Sequence, residues 1–172
     1  ALTRIVVAVD PPAGSKTTSD ACGIVAVGLT ADRTAHVIAD SSLRAAKPSA
    51  WAARAVALYQ SLEADLILAE VNQGGAMVET VLRQGSPQVP LRKVHGTRGK
   101  AARAEPVAAL YEQGRIGHAA GLVGLEEQMG LMTSAGYQGQ GSPDRVDALV
   151  WALTELVVAP MDSWKRPQLR VI

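Results

Sequence analysis

Four carboxylates carry the chemistry this sequence could perform. Asp10 ends the apolar run Ile5-Val6-Val7-Ala8-Val9, and Glu70 stands near the end of the stretch Asp65 to Asn72. Asp144 and Asp147 are three residues apart at the start of an apolar helical segment, so they share one face of its first turn. A carboxylate where a buried strand ends is costly unless it is hydrogen-bonded or binds a cation. Plainer roles exist for each. Asp10 could cap the turn made by Pro11-Pro12-Ala13-Gly14. Asp144 and Asp147 could complement the positive end of their helix, worth about a few tenths to one kcal/mol each. That role suits Asp144 better than Asp147, whose neighbours Val146, Ala148, Leu149, Val150 and Trp151 belong to a mostly buried helix. Gathered in one place the four would repel one another, and divalent cations would resolve the conflict. Hard oxygen ligands suit Mg²⁺ or Mn²⁺, and two such ions can clamp the attacking water and the leaving oxygen of a phosphodiester.

The elements around these residues say whether they can meet. The first apolar run, bounded by turn residues, reads as a strand buried on both faces at the centre of a sheet. Ala21 to Thr30 and Thr34 to Asp40 read as two further strands on tight turns, an antiparallel meander. Lys47-Pro48-Ser49 opens a helix to about Glu63, with Trp51, Ala55, Leu58 and Leu62 at helical spacing. Trp51 reads as core, not as a platform for stacking bases. A helix between two buried strands is the crossover that parallel pairing requires. It would bring Glu70 beside Asp10 at the carboxyl edge of the sheet, where open α/β sheets form sites.

Gln73-Gly74-Gly75 then breaks the strand, Ala76 to Gln84 reads as a short helix, and Leu91 to His95 as a fifth strand. Lys100 to Gln113 reads as a helix. Pro106 either kinks it or, if the helix starts near Ala104, lies in its first turn. Arg115 to His118 reads as extended, with His118 structural because a working histidine needs a positioned partner. Leu122 to Met132 reads as a helix whose Leu122, Leu125, Met129 and Met132 face the core. Thr133 to Gly141 reads as an exposed flexible loop. Ser142 is a good N-cap and Pro143 a good first residue for a last helix running through Trp151 to about Ala159, where Pro160 ends it. The sum is a nuclease-like domain over residues 1–160 and a tail over 161–172. Its sheet is mixed, antiparallel in strands 1–3 and then parallel, and flanked by helices: the ribonuclease-H-like α/β layout.

Bulk properties narrow the partners. At 172 residues the chain is one domain able to bury a core without staples. A net charge of +1 argues against a wholly basic surface, so any nucleic-acid contact must come from a local patch. Arg83, Arg92, Lys93, Arg98, Lys100 and Arg103 form such a stretch with no acidic residue among them, either a solvated face or a phosphate-contacting one. The lone Cys22 excludes an internal disulfide and a cysteine-based zinc site and suits a reducing cytoplasm. No leader opens the chain and no apolar run approaches membrane-spanning length. The sequence begins on a strand without an initiator Met, as a domain cut from a longer protein would. Gly14-Ser15-Lys16-Thr17 lacks the adjacent Gly-Lys pair and the earlier glycine of a phosphate-binding loop.

Several stretches together resemble one family, the C-terminal nuclease domain of the large terminase subunit of tailed phages and phage-like particles. They are Val-Ala-Val-Asp10-Pro-Pro, Glu70-Val-Asn72-Gln73-Gly74-Gly75, Lys100-Ala-Ala-Arg103-Ala-Glu-Pro, Gly114-Arg115-Ile-Gly-His118 and Ser142-Pro-Asp144-Arg-Val-Asp147-Ala-Leu. The resemblance implies a metal-dependent endonuclease of low sequence specificity that cuts concatemeric double-stranded DNA in headful-type initiation and termination. Asp10, Glu70 and Asp147 would hold Mg²⁺ or Mn²⁺, with Asp144 as a fourth ligand or helper, and two ions in the active complex. Cleavage would leave a 5′-phosphate and a 3′-hydroxyl. Lys100 and Arg103, with Arg98 and Lys93 behind them, would contact the DNA backbone. The resemblance also implies an N-terminal ATPase domain in the full-length protein, whose phosphate loop this chain lacks. Portal and small terminase subunit would be further partners, the host cytoplasm the location, and no membrane would be involved. The alternatives are a Holliday-junction resolvase of the same fold and a non-catalytic DNA- or capsid-docking module.

Overall fold

The computed structural model describes residues 1–12, 21–71 and 75–160. The polar loop after Gly14, the strand end at Asn72 with its Gln73-Gly74 break, and the tail over 161–172 lie outside the described residues.

Strand β1 (Leu2–Asp10) is central, as its uninterrupted apolar run requires. It pairs antiparallel with β2 (Ala21–Thr30), which pairs antiparallel with β3 (Ala35–Asp40) and with the two-residue β4 (Leu43–Arg44), a strand the sequence did not announce. Helix α1 (Pro48–Ser61) crosses over to β5 (Leu66–Glu70), parallel to β1 with Val9 opposite Ala69. Helix α2 (Gly75–Gly85) leads to β6 (Leu91–Val94), parallel to β5. Helix α3 (Lys100–Glu112) leads to β7 (Ile116–His118), parallel to β3. The order across the sheet is β6-β5-β1-β2-β3-β7. This is the expected mixed α/β sheet of an antiparallel meander followed by parallel strands.

The remaining elements are helix α4 (Val123–Gly130), the small hairpin β8 (Met132–Thr133) and β9 (Gly136–Tyr137), and helix α5 (Asp144–Leu153). Helix α5 passes into a π-helical turn over Thr154–Val158. The stretch expected as a flexible loop thus holds a two-residue ladder, closed by a Thr133 hydroxyl that donates to the Gly136 carbonyl. Helix α3 begins at Lys100 and carries Pro106 in its interior, so the start near Ala104 is not observed. Burial of Val107 and Leu110 holds that helix on the sheet although Pro106 cannot donate to the carbonyl one turn back.

Pleating decides which way the carboxylates point, because successive side chains of a strand face opposite ways. Val6 and Ala8 of β1, Leu66 and Leu68 of β5, and Val25, Val27 and Leu29 of β2 pack on α3, α4 and α5. Val7, Val9, Ile67, Ala69, Ile24 and Ala26 pack on α1 and α2, around the fully buried Trp51. By that alternation Asp10 and Glu70 both fall on the α5 face, at the carboxyl edge of adjacent parallel strands.

Candidate metal and nuclease centre

Asp10, Glu70 and Asp147 are the buried charged residues among those described, 7 %, 5 % and 3 % exposed. Asp10 and Glu70 come from the ends of β1 and β5, and Asp147 from the first turn of α5. Half-buried Asp144 is the first residue of that helix, in the same turn. Asp10, Asp144 and Asp147 each offer a carboxylate oxygen within 4.8 Å of the other two. Glu70 is not one of these three, although its charge acts on Asp10. Its Oε1 accepts from Arg103 Nη1 (3.2 Å), and its Oε2 accepts from the indole N–H of Trp151 (3.0 Å).

Two cations from α3 reach into the cluster. Lys100 Nζ donates to Asp147 Oδ2 and to the Ser142 hydroxyl (2.7 Å), and lies 3.9 Å from Asp10 Oδ2. Arg103 stacks over the Trp151 ring at 4.6 Å and approaches Asp147 Oδ1 at 4.0 Å. Ser142 was expected to cap α5. Instead Pro143 occupies the cap position with no side-chain bond, and the Ser142 hydroxyl serves Lys100.

The basic stretch is therefore largely neutralised by acids, Glu79 of α2 and acids from β5, α5 and the π-helical turn. Arg83 and Lys93 share Glu79 at 3.0 and 2.7 Å, and Arg92 pairs with Glu155 of the π-helical turn at 2.7 Å. Arg98 is exposed on the loop before α3. Sequence reasoning did not single out Trp151 as a site residue, nor Arg145, whose Nε donates to Asp40 Oδ2 at 2.8 Å and fixes the start of α5 to β3. The indole one helical turn after Asp147 was a signal for the first; nothing local announced the second.

Burial, then the charge of Glu70, pushes the Asp10 carboxyl well above its ordinary range, and Lys100 opposes this only in part. Burial likewise raises Asp147 against the hydrogen bond and charge of Lys100 and the charge of Arg103. For Lys100 burial acts downward, but the hydrogen bond to Asp147 and the charges of Asp147, Asp10 and Asp144 outweigh it, and the net shift is upward. Burial, with Asp10 and Asp144 nearby, raises Cys22 and leaves an inert thiol.

These residues suit a hard divalent cation. The donors are carboxylate oxygens, and Asp10 Oδ2 is buried with no hydrogen-bond partner among the described residues. Asp10, Glu70 and Asp144 line a cleft of about 670 Å³ whose walls also include Lys100, Arg44, Arg145 and Tyr137. His118 does not line it. Its ring is held by Tyr111 Oη (2.6 Å) and the Glu126 carboxylate (3.0 Å) at the sheet edge, so a histidine expected to lack partners has two.

Residues 7–156 match the family described as the terminase RNase H-like domain. The chain belongs to that family. In structure the domain is similar to the large terminase nuclease of thermophilic phage G20c, with a TM-score of 0.66 and 16% identity over 88% of this chain and 82% of that one. That nuclease has also been solved with bound cobalt, magnesium and zinc. A variant nuclease domain of the large terminase subunit gp2 of bacterial virus Sf6, with manganese, gives 0.61 and 16% over 89% of each chain. T. thermophilus RuvC in complex with a Holliday junction gives 0.51 and 14% over 91% of this chain and 96% of that one. At these identities the likeness is one of fold. No curated protein matches the sequence. Among the described residues no helix is long and apolar enough to cross a membrane.

Proposed function

We propose that this domain is a divalent-metal-dependent endonuclease that cuts double-stranded DNA during genome packaging. The observation that carries the reading is the trio Asp10, Asp144 and Asp147, two of them buried and with an Asp10 oxygen that accepts no hydrogen bond among the described residues, at the carboxyl edge of a terminase-family sheet. Asp10, Asp144 and Asp147 would hold Mg²⁺ or Mn²⁺, with Glu70 joining them in the active complex. Bound there, the metal supplies Lewis-acid stabilisation to phosphodiester hydrolysis.

The chain's own residues do the remainder. Lys100 keeps a positive donor at the cleft, held by Asp147 and Ser142 and placed to meet a phosphate oxygen. Arg145, fixed by Asp40, sets the first turn of α5 and with it the position of Asp144. Lys100 and Arg103, with Arg98 and Lys93 behind them, are the proposed contacts to the DNA backbone. Such contacts position the duplex without reading its sequence, so the choice of cut site falls to partners such as the portal, the small terminase subunit and an ATPase domain of the full-length protein.

The test is cleavage of supercoiled and linear plasmid with Mg²⁺, Mn²⁺, Ca²⁺ or EDTA, alongside Asp10→Asn. Cutting in Mg²⁺ or Mn²⁺ that disappears in EDTA and in the variant is the expected outcome. Normal cutting by Asp10→Asn would remove the metal centre from the account. Preference for a four-way junction over linear duplex would turn the reading toward a resolvase, whose fold this chain shares.

A further inference from the structure

The position of Glu70 departs from that of a carboxylate waiting for a cation. Both of its oxygens are taken, Oε1 by Arg103 and Oε2 by the Trp151 indole, and Arg103 lies on the Trp151 ring, so the three side chains close on one another. The group is largely covered, although Glu70 still borders the cleft. Glu70 is 5 % exposed, the Arg103 side chain is 12 % exposed, and a Cβ added at Gly96 would stand 3.0 Å from Glu70 Oε1 and 3.4 Å from the Arg103 guanidinium carbon. The backbone at Gly96 thus roofs the pair. Arg103 also reaches to 4.0 Å from Asp147, so its charge stands between Glu70 and Asp147.

We infer that Arg103 and Trp151 form a latch that keeps Glu70 out of the cation-holding set until DNA arrives. This rests on the nuclease reading above and adds to it an order of events. Without DNA the domain takes a cation on Asp10, Asp144 and Asp147 alone, and the Glu70 charge is balanced by Arg103. The latch has a weak point in its own chemistry. Arg103 Nε is buried with no hydrogen-bond partner among the described residues, so the guanidinium leaves a donor unused where it sits. A phosphate can take a guanidinium by two parallel hydrogen bonds, and Arg suits that geometry better than Lys. A DNA phosphate entering beside Lys100 can therefore draw Arg103 away, and Glu70 is then released toward Asp10 and Asp147. Arg103 and Trp151 are positioning residues on this account, acting through Glu70.

The experiment is a titration of the DNA-free protein with MnCl₂ by calorimetry, comparing wild type, Asp10→Asn and the double variant Glu70→Gln with Arg103→Gln. The double variant removes carboxylate and guanidinium together and so leaves the net charge beside the trio unchanged. It is expected to bind Mn²⁺ within about threefold of wild type or more tightly, while Asp10→Asn weakens binding at least about tenfold, the scale on which metal sites respond to lost support.

A second measurement does not depend on the double variant folding. The Trp151 indole N–H resonance, assigned with Trp151→Phe, is expected to keep its hydrogen-bonded position at saturating Mg²⁺ and to move when a short duplex is added in Ca²⁺. If the double variant binds Mn²⁺ as weakly as Asp10→Asn, or if Mg²⁺ alone releases the indole, the latch is wrong and the nuclease reading stands. If the duplex leaves the indole in place, DNA is not what opens it and the inference fails on that step. If Asp10→Asn binds Mn²⁺ like wild type, the metal reading and the latch fall together.

Discussion

Gly23 lies directly beneath Asp144: a Cβ built on Gly23 would stand 1.9 Å from the Asp144 main-chain oxygen. Gly23 is also the partner of Asp10 across the β1–β2 ladder. One residue without a side chain thus sets the distance between the strand that carries Asp10 and the helix that carries Asp144 and Asp147. The contact is with backbone, which cannot swing aside as a flexible side chain would. Gly23→Ala must push the start of α5 off the sheet. Overpacking of this kind costs about 1–3 kcal/mol or more, so the melting temperature should fall by several degrees and Mn²⁺ affinity with it. Differential scanning calorimetry and an Mn²⁺ titration read both. An alanine variant that melts and binds as wild type does would mean that α5 sits farther from β2.

The metal-free domain should be least comfortable at neutral and higher pH. Burial and the Glu70 charge raise Asp10 above its value in the unfolded chain, and burial raises Asp147. In the window between the unfolded and the raised values the folded state holds the extra proton. The stabilisation is therefore complete below the unfolded value and is lost as pH rises through the raised one. Lys100 is shifted upward and stays charged across that window, so it does not reverse the slope. In EDTA the melting temperature should fall as pH rises above the ordinary carboxylate range, and Asp10→Asn should both reduce the fall and melt higher at the upper end. Added Mg²⁺ should restore the loss in wild type but not in the variant. A melting temperature that climbs with pH in EDTA would contradict the burden assigned to these carboxylates.

Much of the centre was legible because strands and helices announce themselves by period. The apolar runs ending at Asp10 and Glu70 gave two buried strands, the intervening helix made them parallel, and the apolar neighbours of Asp147 marked it as buried. What could not be read was what each charge meets. Lys100 and Arg103 stand in a basic stretch, yet the acids that hold them come from β5 and α5, far away in sequence. Ser142 looked like a cap because a hydroxyl before Pro143 usually is one. A lysine arriving from α3 competes for it, and that competition is tertiary. Gly23 was visible as a glycine in a strand, but the close approach that requires it exists only once α5 is docked. The ladder over residues 132–137 rests on two residues per strand, too short to leave a pattern.

His118 gives a check on the boundary of the site. Its ring bridges Tyr111 of α3 and Glu126 of α4, and it stands outside the cleft. His118→Ala removes two side-chain hydrogen bonds from a half-buried position, a loss of about 1–2 kcal/mol, and the melting temperature should drop by roughly 2–8 °C. Plasmid cleavage below the melting transition should keep its rate. A variant that melts like wild type but cuts slowly would bring this residue into the chemistry.

The salt dependence of DNA binding distinguishes the cations that meet phosphate from those that meet only protein. Arg83 is paired with Glu79 of its own helix, whereas Lys100 lines the cleft, Arg103 lies one turn along α3 from it, and Arg98 stands on the exposed loop before them. Each phosphate neutralised contributes about 0.9 to the slope of log affinity against log salt on duplex DNA. Lys100→Ala with Arg103→Ala should lower that slope by about two contacts' worth and weaken binding, while Arg83→Ala should leave it unchanged. Fluorescence anisotropy of a labelled duplex in EDTA, from low to moderate KCl, measures it without cleavage. Loss of slope in Arg98→Ala but not in the double variant would move the DNA path onto the loop and away from the carboxylate cleft. An equal loss in both would run the duplex along the whole edge from that loop to the start of α5.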